Sequence, residues 1–196
     1  MTHLHVHTII CGTSKSLNEN GYYIKEKEKF WGLIYKCNVT KYIIDPYDYK
    51  QFEDLGFKFL EIISSIESQD KKIFEKYSID EIQNSIKGFV EKVETIKPKR
   101  IFFHGKKSAE WFLQYIENEK IRKKGYPMTK DRENGKIRKK GYLMTRSREY
   151  GKQSDLNLGY DIYILPSTSG AASKYWQSKY WEQAWKDSLI DINKAL

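Results

Sequence analysis

Two apolar runs near opposite ends of the chain, Thr8-Ile9-Ile10-Cys11 and Tyr160 to Leu165, each give way to small polar residues and then to a helix-like segment. The first runs into Gly12-Thr13-Ser14-Lys15-Ser16, the second into Pro166-Ser167-Thr168-Ser169-Gly170-Ala171. A strand that leaves through such a loop into a helix is the repeating unit of an open α/β sheet. Loops at the C-terminal ends of those strands are where such sheets take ligands, because backbone approaches closely there and helix N-termini supply donors.

The segments between extend the same pattern. Phe30 to Tyr35 has helical apolar spacing, and Phe57 to Ile63 suits a second strand. Ser78-Ile79-Asp80-Glu81 is a capping box, followed by Ile82, Ile86, Phe89, Val90 and Val93 at helical spacing until Pro98 stops the run. Ile101-Phe102-Phe103 reads as a buried strand and Ala109 to Ile116 as the next helix, while Trp181, Trp185, Leu189 and Ile192 mark a C-terminal amphipathic helix. The expected fold is α/β, a three-layer α/β/α arrangement around a short, mostly parallel central sheet. At 196 residues the chain suits one domain, 1–196.

Charge is concentrated in one segment. The chain carries a formal +9, yet residues 120–152 hold thirteen Lys or Arg against Asp131, Glu133 and Glu149, a local +10 that leaves the remainder near −1. The same region is duplicated. Residues 121–136 begin Ile-Arg-Lys-Lys-Gly-Tyr and recur from 137 as Ile-Arg-Lys-Lys-Gly-Tyr, so a basic insertion is expected at about 117–157. Two copies are too few for a solenoid, and such basicity points to a polyanionic partner. Cys11 and Cys37 sit beside apolar residues, the pattern of buried free thiols in a reducing compartment. Met1-Thr2-His3-Leu4-His5 is not a basic leader before an apolar stretch, and no apolar run reaches membrane-spanning length. The expectation is a cytoplasmic or nucleoid and nuclear protein, not secreted and without a membrane partner.

Four ordered segments carry a family resemblance: the loop Gly12-Thr13-Ser14-Lys15-Ser16 with Tyr23 and Phe30-Trp31 behind it, Leu55-Gly56-Phe57, Lys97 through Lys107 with His104-Gly105-Lys106, and Leu165-Pro166-Ser167-Thr168-Ser169-Gly170. They cover most of residues 1–115 and 158–190. In order and spacing the chain resembles the uracil-DNA glycosylase superfamily, most closely its mismatch-specific uracil/thymine and hypoxanthine branches. The resemblance implies a monofunctional DNA glycosylase, working without metal or organic cofactor, monomeric on double-stranded DNA with one nucleotide flipped out.

It also implies roles. Cleaving an N-glycosidic bond requires extrusion of the nucleotide, stabilisation of the departing base and delivery of water. Ser14 stands where the family places an Asn or an acid, and would orient the water; Asn18 and Asn20 are alternatives, or ordinary turn residues. Ser167 and Ser169 would hydrogen-bond the base or a phosphate, unless they only cap the following helix. Gly12 and Thr13 would line the base site, Tyr23 would stack on the base, and His104 would read a base edge or serve structurally. Lys15, Lys106, Ser169, Gly170 and Ala171 would meet DNA, joined by Arg122, Lys123, Lys124, Arg138, Lys139 and Lys140 of the insertion. Lys15 could alternatively form a Schiff base, although phosphate contact is the commoner role of such a lysine. His3, His5 and His7 would share one strand face, a metal-site geometry lacking an obvious fourth ligand.

Uracil or a mismatched thymine is the family's default substrate. The alternatives are hypoxanthine, suggested by Pro166-Ser167-Thr168-Ser169, and a modified cytosine of phage DNA, for which Gly170-Ala171-Ala172 and the altered run at residues 24–29 would leave room. A catalytically silent DNA-binding protein of the same fold is the rival from another class. Its evidence is Ser14 together with Ile24-Lys25-Glu26-Lys27-Glu28-Lys29, which replaces the family's His-Pro-x-Asn run.

Overall fold

The computed structural model describes residues 6–14, 21–24, 29–64, 78–123, 148–169, 172 and 179–193. Strands β1 (Thr8–Ser14), β2 (Phe57–Ile63), β3 (Arg100–His104), β4 (Gly151–Lys152) and β5 (Asp161–Leu165) form one sheet in the order β2-β1-β3-β5-β4. β2, β1, β3 and β5 run parallel, and only β4 at the edge is antiparallel. Helices α1 (Phe30–Lys36), α2 (Lys50–Glu53), α3 (Ile79–Ile96), α4 (Lys106–Lys123) and α5 (Lys179–Asn193) surround it, with a 3-10 turn at Pro46–Asp48.

Strands covered on both sides need apolar residues on both faces, and alternate residues here feed two cores. Ile9, Cys11, Ile101, Phe103, Ile162 and Ile164 pack beneath α3 and α4 against Phe89, Val93 and Phe112. Ile10, Phe57, Phe59, Phe102, Tyr163 and Leu165 pack on the opposite face against Phe30, Ile34, Phe52, Trp185 and Leu189. This is the three-layer α/β/α arrangement, with α1, α2 and α5 on the second face.

Local chemistry fixes the element ends. The Ser78 hydroxyl accepts the Glu81 N–H at 3.3 Å while the Glu81 carboxylate accepts the Ser78 N–H at 2.8 Å, closing the capping box of α3. Lys97 in a left-handed conformation (φ 52°) and Pro98 stop it. Gly105 turns β3 into α4 in a single residue at φ 106°, a conformation that disfavours any residue with a Cβ.

Helix α4 is longer than the apolar spacing of Ala109 to Ile116 suggests and continues to Lys123, inside the first copy of the duplication. The second copy closes on the sheet: Tyr150 packs on the first core, and Gly151 and Lys152 pair with Ile164 and Tyr163. Arg148 bonds Asp155 at 2.8 Å and Lys152 bonds Asp161 at 2.8 Å. No helix among the described residues is long and apolar enough to cross a membrane.

Candidate functional site

The strand order reverses between β1 and β3, since β1 leads to β2 on one side while β3 and β5 continue on the other. In open α/β sheets the crevice at the C-terminal ends of such strands is the ligand site. The parallel strands β1, β3 and β5 all end at this edge, so the topology gathers Gly12, His104 and Ser167 there.

The last row of side chains shared by β2, β1, β3 and β5 on the α1/α5 face can be read from the register. Gly12 is level with Glu61 of β2, and His104 with Leu165 of β5. One step past the Cys11–Phe103 pair, Gly12 is level with His104. The row Glu61, Gly12, His104, Leu165 therefore sits directly above the apolar row Phe59, Ile10, Phe102, Tyr163. No described atom lies within 4 Å of where a Cβ on Gly12 would be. A slot without a side chain is thus flanked by a carboxylate on one strand and an imidazole on the other.

An aromatic cluster walls this row. Tyr23 stacks on Phe30 with ring centroids 4.3 Å apart and lies 4.8 Å from the His104 ring and 5.8 Å from Phe59. Tyr22 stacks on Phe59 at 4.4 Å, and its hydroxyl hydrogen-bonds the Glu61 carboxylate. Burial first, and the Glu61 charge second, push the Tyr22 phenol above its ordinary pKa; the same two causes raise the Cys11 thiol. The turn carrying the tyrosines is tightly held. Trp31 Nε1 donates to the Tyr22 carbonyl at 2.9 Å, Tyr23 takes a left-handed φ of 56°, and a Cβ on Gly21 would lie 2.8 Å from the Pro46 oxygen.

His104 is 8% exposed, and its Nε2 accepts the Thr168 N–H at 2.8 Å with the Thr168 hydroxyl 2.7 Å away. An amide can only donate, so Nε2 holds a lone pair and the neutral ring carries its proton on Nδ1. Burial lowers its pKa to about 3. Nε2 is thereby committed to the loop after β5, which matches the structural role for this histidine; any base contact would use the Nδ1 side.

Further bonds fix that loop. The Thr168 carbonyl accepts the Lys29 N–H at 3.2 Å, the Pro166 carbonyl accepts Trp185 Nε1–H at 2.9 Å, and the Leu165 carbonyl accepts the Gly105 N–H at 2.8 Å. Ser167 Oγ donates to Ser169 Oγ at 3.1 Å and accepts the Ser169 N–H at 3.3 Å. The two serines are thus tied to each other. Lys106, opening α4, places Nζ 4.8 Å from the centre of the Tyr150 ring.

Ser14 is the last residue of β1, level with Ile63, and Thr13 precedes it. Arg122 and Lys123 fall in the last turn of α4. Lys15, Asn18, Asn20, Lys124, Arg138, Lys139, Lys140, Gly170 and Ala171 lie outside the described residues, as do His3 and His5. His7 uses both ring nitrogens locally: Nε2–H donates to the Leu55 carbonyl at 2.9 Å, and Nδ1 pairs with the Thr8 hydroxyl at 2.7 Å.

Glu61, Tyr22 and Thr168 join the site without being site candidates on sequence grounds. A signal existed for Glu61, the one acid in Phe57–Ile63, where Lys58 is the only other polar residue and falls on the opposite face, while Glu61 lies two residues past Phe59 and so on the same face. None existed for Thr168, whose partner is 64 residues away. No family model matches this chain, and no curated protein matches it.

Proposed function

We propose that this chain is a DNA glycosylase that extrudes a damaged, mismatched or modified base and hydrolyses its N-glycosidic bond, leaving an abasic site. The observation that carries the reading is the gathering of three strand ends, those of β1, β3 and β5, around a side-chain-free slot at Gly12 walled by Tyr23 and Phe30. An aromatic wall beside a narrow gap suits a flat, uncharged ring, and base–aromatic stacking contributes about 1–3 kcal/mol. The sequence resemblance assigns the loops at these strand ends to base capture.

In this reading Tyr23 holds the extruded base, with Phe30 and Phe59 supporting its ring. The backbone N–H groups following Gly12, and the Ser167 hydroxyl once it turns from Ser169 toward the ligand, donate to the base as it accumulates negative charge on departure. Ser14 orients the attacking water. A neutral hydroxyl positions water without accepting its proton efficiently, so leaving-group stabilisation carries more of the barrier. Lys106, Ser169 and the basic insertion hold the phosphates, which fix register without reading sequence. The protein acts as a monomer on duplex DNA.

A single-turnover assay on duplex oligonucleotides bearing uracil, hypoxanthine or substituted cytosines, followed by alkaline scission, tests the proposal. Scission only after alkali is the expected result. Tight duplex binding with no scission on any of them would identify the catalytically silent DNA-binding protein instead, the reading favoured by Ser14.

A further inference from the structure

We infer that Glu61 reads the extruded base and selects a pyrimidine carrying an amino group at its 4-position, a cytosine-type base, over uracil or thymine. The inference rests on the glycosylase reading and specifies its substrate class.

Glu61 is half-buried at the C-terminal part of β2, level with Gly12 and on the face that carries Phe59 and the two tyrosines. A base seated against Tyr23 above Gly12 has the Glu61 carboxylate along its edge, because Gly12 offers no side chain to separate them. The Tyr22 hydroxyl donates to this carboxylate, which orients it. A carboxylate accepts up to about four hydrogen bonds, so the tyrosine does not exhaust it.

The chemistry of selection follows from what an ionised carboxylate can do: it accepts and never donates. Cytosine presents a 4-amino group, a donor. Uracil and thymine present a carbonyl oxygen at that position, which would face the carboxylate oxygen to oxygen. Tyr22 strengthens the discrimination, since its proton is held toward Glu61 and its own pKa lies above the ordinary range. His104 does not set the preference: its Nε2 is occupied by Thr168, and a donor at Nδ1 is served by the 2-carbonyl that cytosine, uracil and thymine share. Pairing of Glu or Asp with the cytosine amino group is an established mode of base reading, and a well-made pair of this class discriminates by roughly tenfold to a hundredfold.

The test uses the full chain and two pairs of duplex substrates differing only at position 4, cytosine against uracil and 5-hydroxymethylcytosine against 5-hydroxymethyluracil, each placed opposite an abasic-site analogue so that neither base is paired and extrusion costs are alike. Single-turnover excision should be at least about tenfold faster for the amino member of one or both pairs. Glu61→Gln is nearly isosteric and can donate to a carbonyl, so it should shrink or invert that ratio by about tenfold or more, with a melting temperature close to that of the parent. Tyr22→Phe keeps the carboxylate and should keep the sign of the preference. Faster excision of the carbonyl member of both pairs, or a ratio unchanged in a folded Glu61→Gln protein, overturns the assignment while leaving the glycosylase reading intact. Should Glu61→Gln not fold, the parent's ratio on the two pairs decides alone. Excision of no base in any substrate, with duplex binding retained, removes the glycosylase reading and this inference with it.

Discussion

His104 and Thr168, 64 residues apart, join the end of β3 to the loop after β5 through one imidazole nitrogen: Nε2 takes the Thr168 amide at 2.8 Å and lies 2.7 Å from its hydroxyl. The Thr168 carbonyl then reaches the N-terminus of α1 through Lys29. Three elements at the candidate site are thus tied through one residue pair. Protonating Nε2 would replace the lone pair that receives both groups with an N–H facing the amide N–H.

The pH dependence follows from that geometry. Burial lowers the His104 pKa from 6.5 to about 3, so between those values the unfolded chain binds the proton and the folded one does not. The stability of the neutral pair is fully present above pH 6.5 and is lost as pH falls toward 3, by up to about 1.4 kcal/mol per pH unit. Denaturation of the parent and of His104→Gln should therefore differ most at neutral pH and converge in acid. Curves that stay parallel from pH 7 to 4 would show that His104 is not buried in its neutral form.

Gly105→Ala isolates backbone geometry from side-chain crowding. A Cβ there would meet Ser167 Cβ at 3.6 Å, an ordinary distance, so the cost arises from the φ of 106°. The expected destabilisation is about 1–3 kcal/mol. Because the Gly105 N–H also bonds the Leu165 carbonyl, excision should fall along with the melting temperature. A melting temperature equal to the parent's would mean the turn relaxes freely.

Local and face-forming features of this fold were legible in the sequence, and pairings between distant residues were not. Ser78 and Glu81 announce α3 because capping is settled within four residues, and the spacing of Trp185 and Leu189 places both in the core that forms. Phe57–Ile63 is the strand its apolar run implies. Strand β4 has no such pattern: Gly151 and Lys152 become a strand through pairing with β5, a tertiary cause. The sequence resemblance proposes Tyr23 as the stacking aromatic, but its left-handed backbone and its stacking on Phe30 depend on where Pro46 and α1 lie. Glu61 acquires its meaning only from register, since being level with Gly12 makes a polar residue in an apolar strand part of the site.

Tyr23 separates stacking from hydrogen bonding. Tyr23→Ala removes the ring beside the slot and should weaken capture of an extruded base by about 1–3 kcal/mol, measured as affinity for a duplex bearing a substrate base with a non-hydrolysable linkage. Tyr23→Phe retains the ring, and with it the stacked pair with Phe30, and should lose little. Equal losses in the two variants would assign base capture to the phenol hydroxyl.

The duplicated segment offers the last test, and the structure sets where to cut. Residues 148–158 contribute to the fold through Arg148–Asp155, the Tyr150 packing and the β4–β5 pairing, and α4 runs to Lys123. Replacement should therefore span residues 124–147, which hold Lys124, Lys130, Arg132, Lys136, Arg138, Lys139, Lys140 and Arg146 against Asp131 and Glu133. A short Gly-Ser linker there should leave the melting temperature within a few degrees of the parent's while lowering affinity for all duplex sequences alike. If these cations face phosphates, the slope of log K against log salt flattens by about 0.9 for each phosphate that the shortened chain no longer neutralises. The ratio between base substrates should not move, because phosphate contacts position the duplex, whereas base reading is proposed for Glu61, Gly12 and Tyr23. An unchanged salt slope would make the segment a solvated surface feature, and a changed base ratio would place part of the specificity within the insertion.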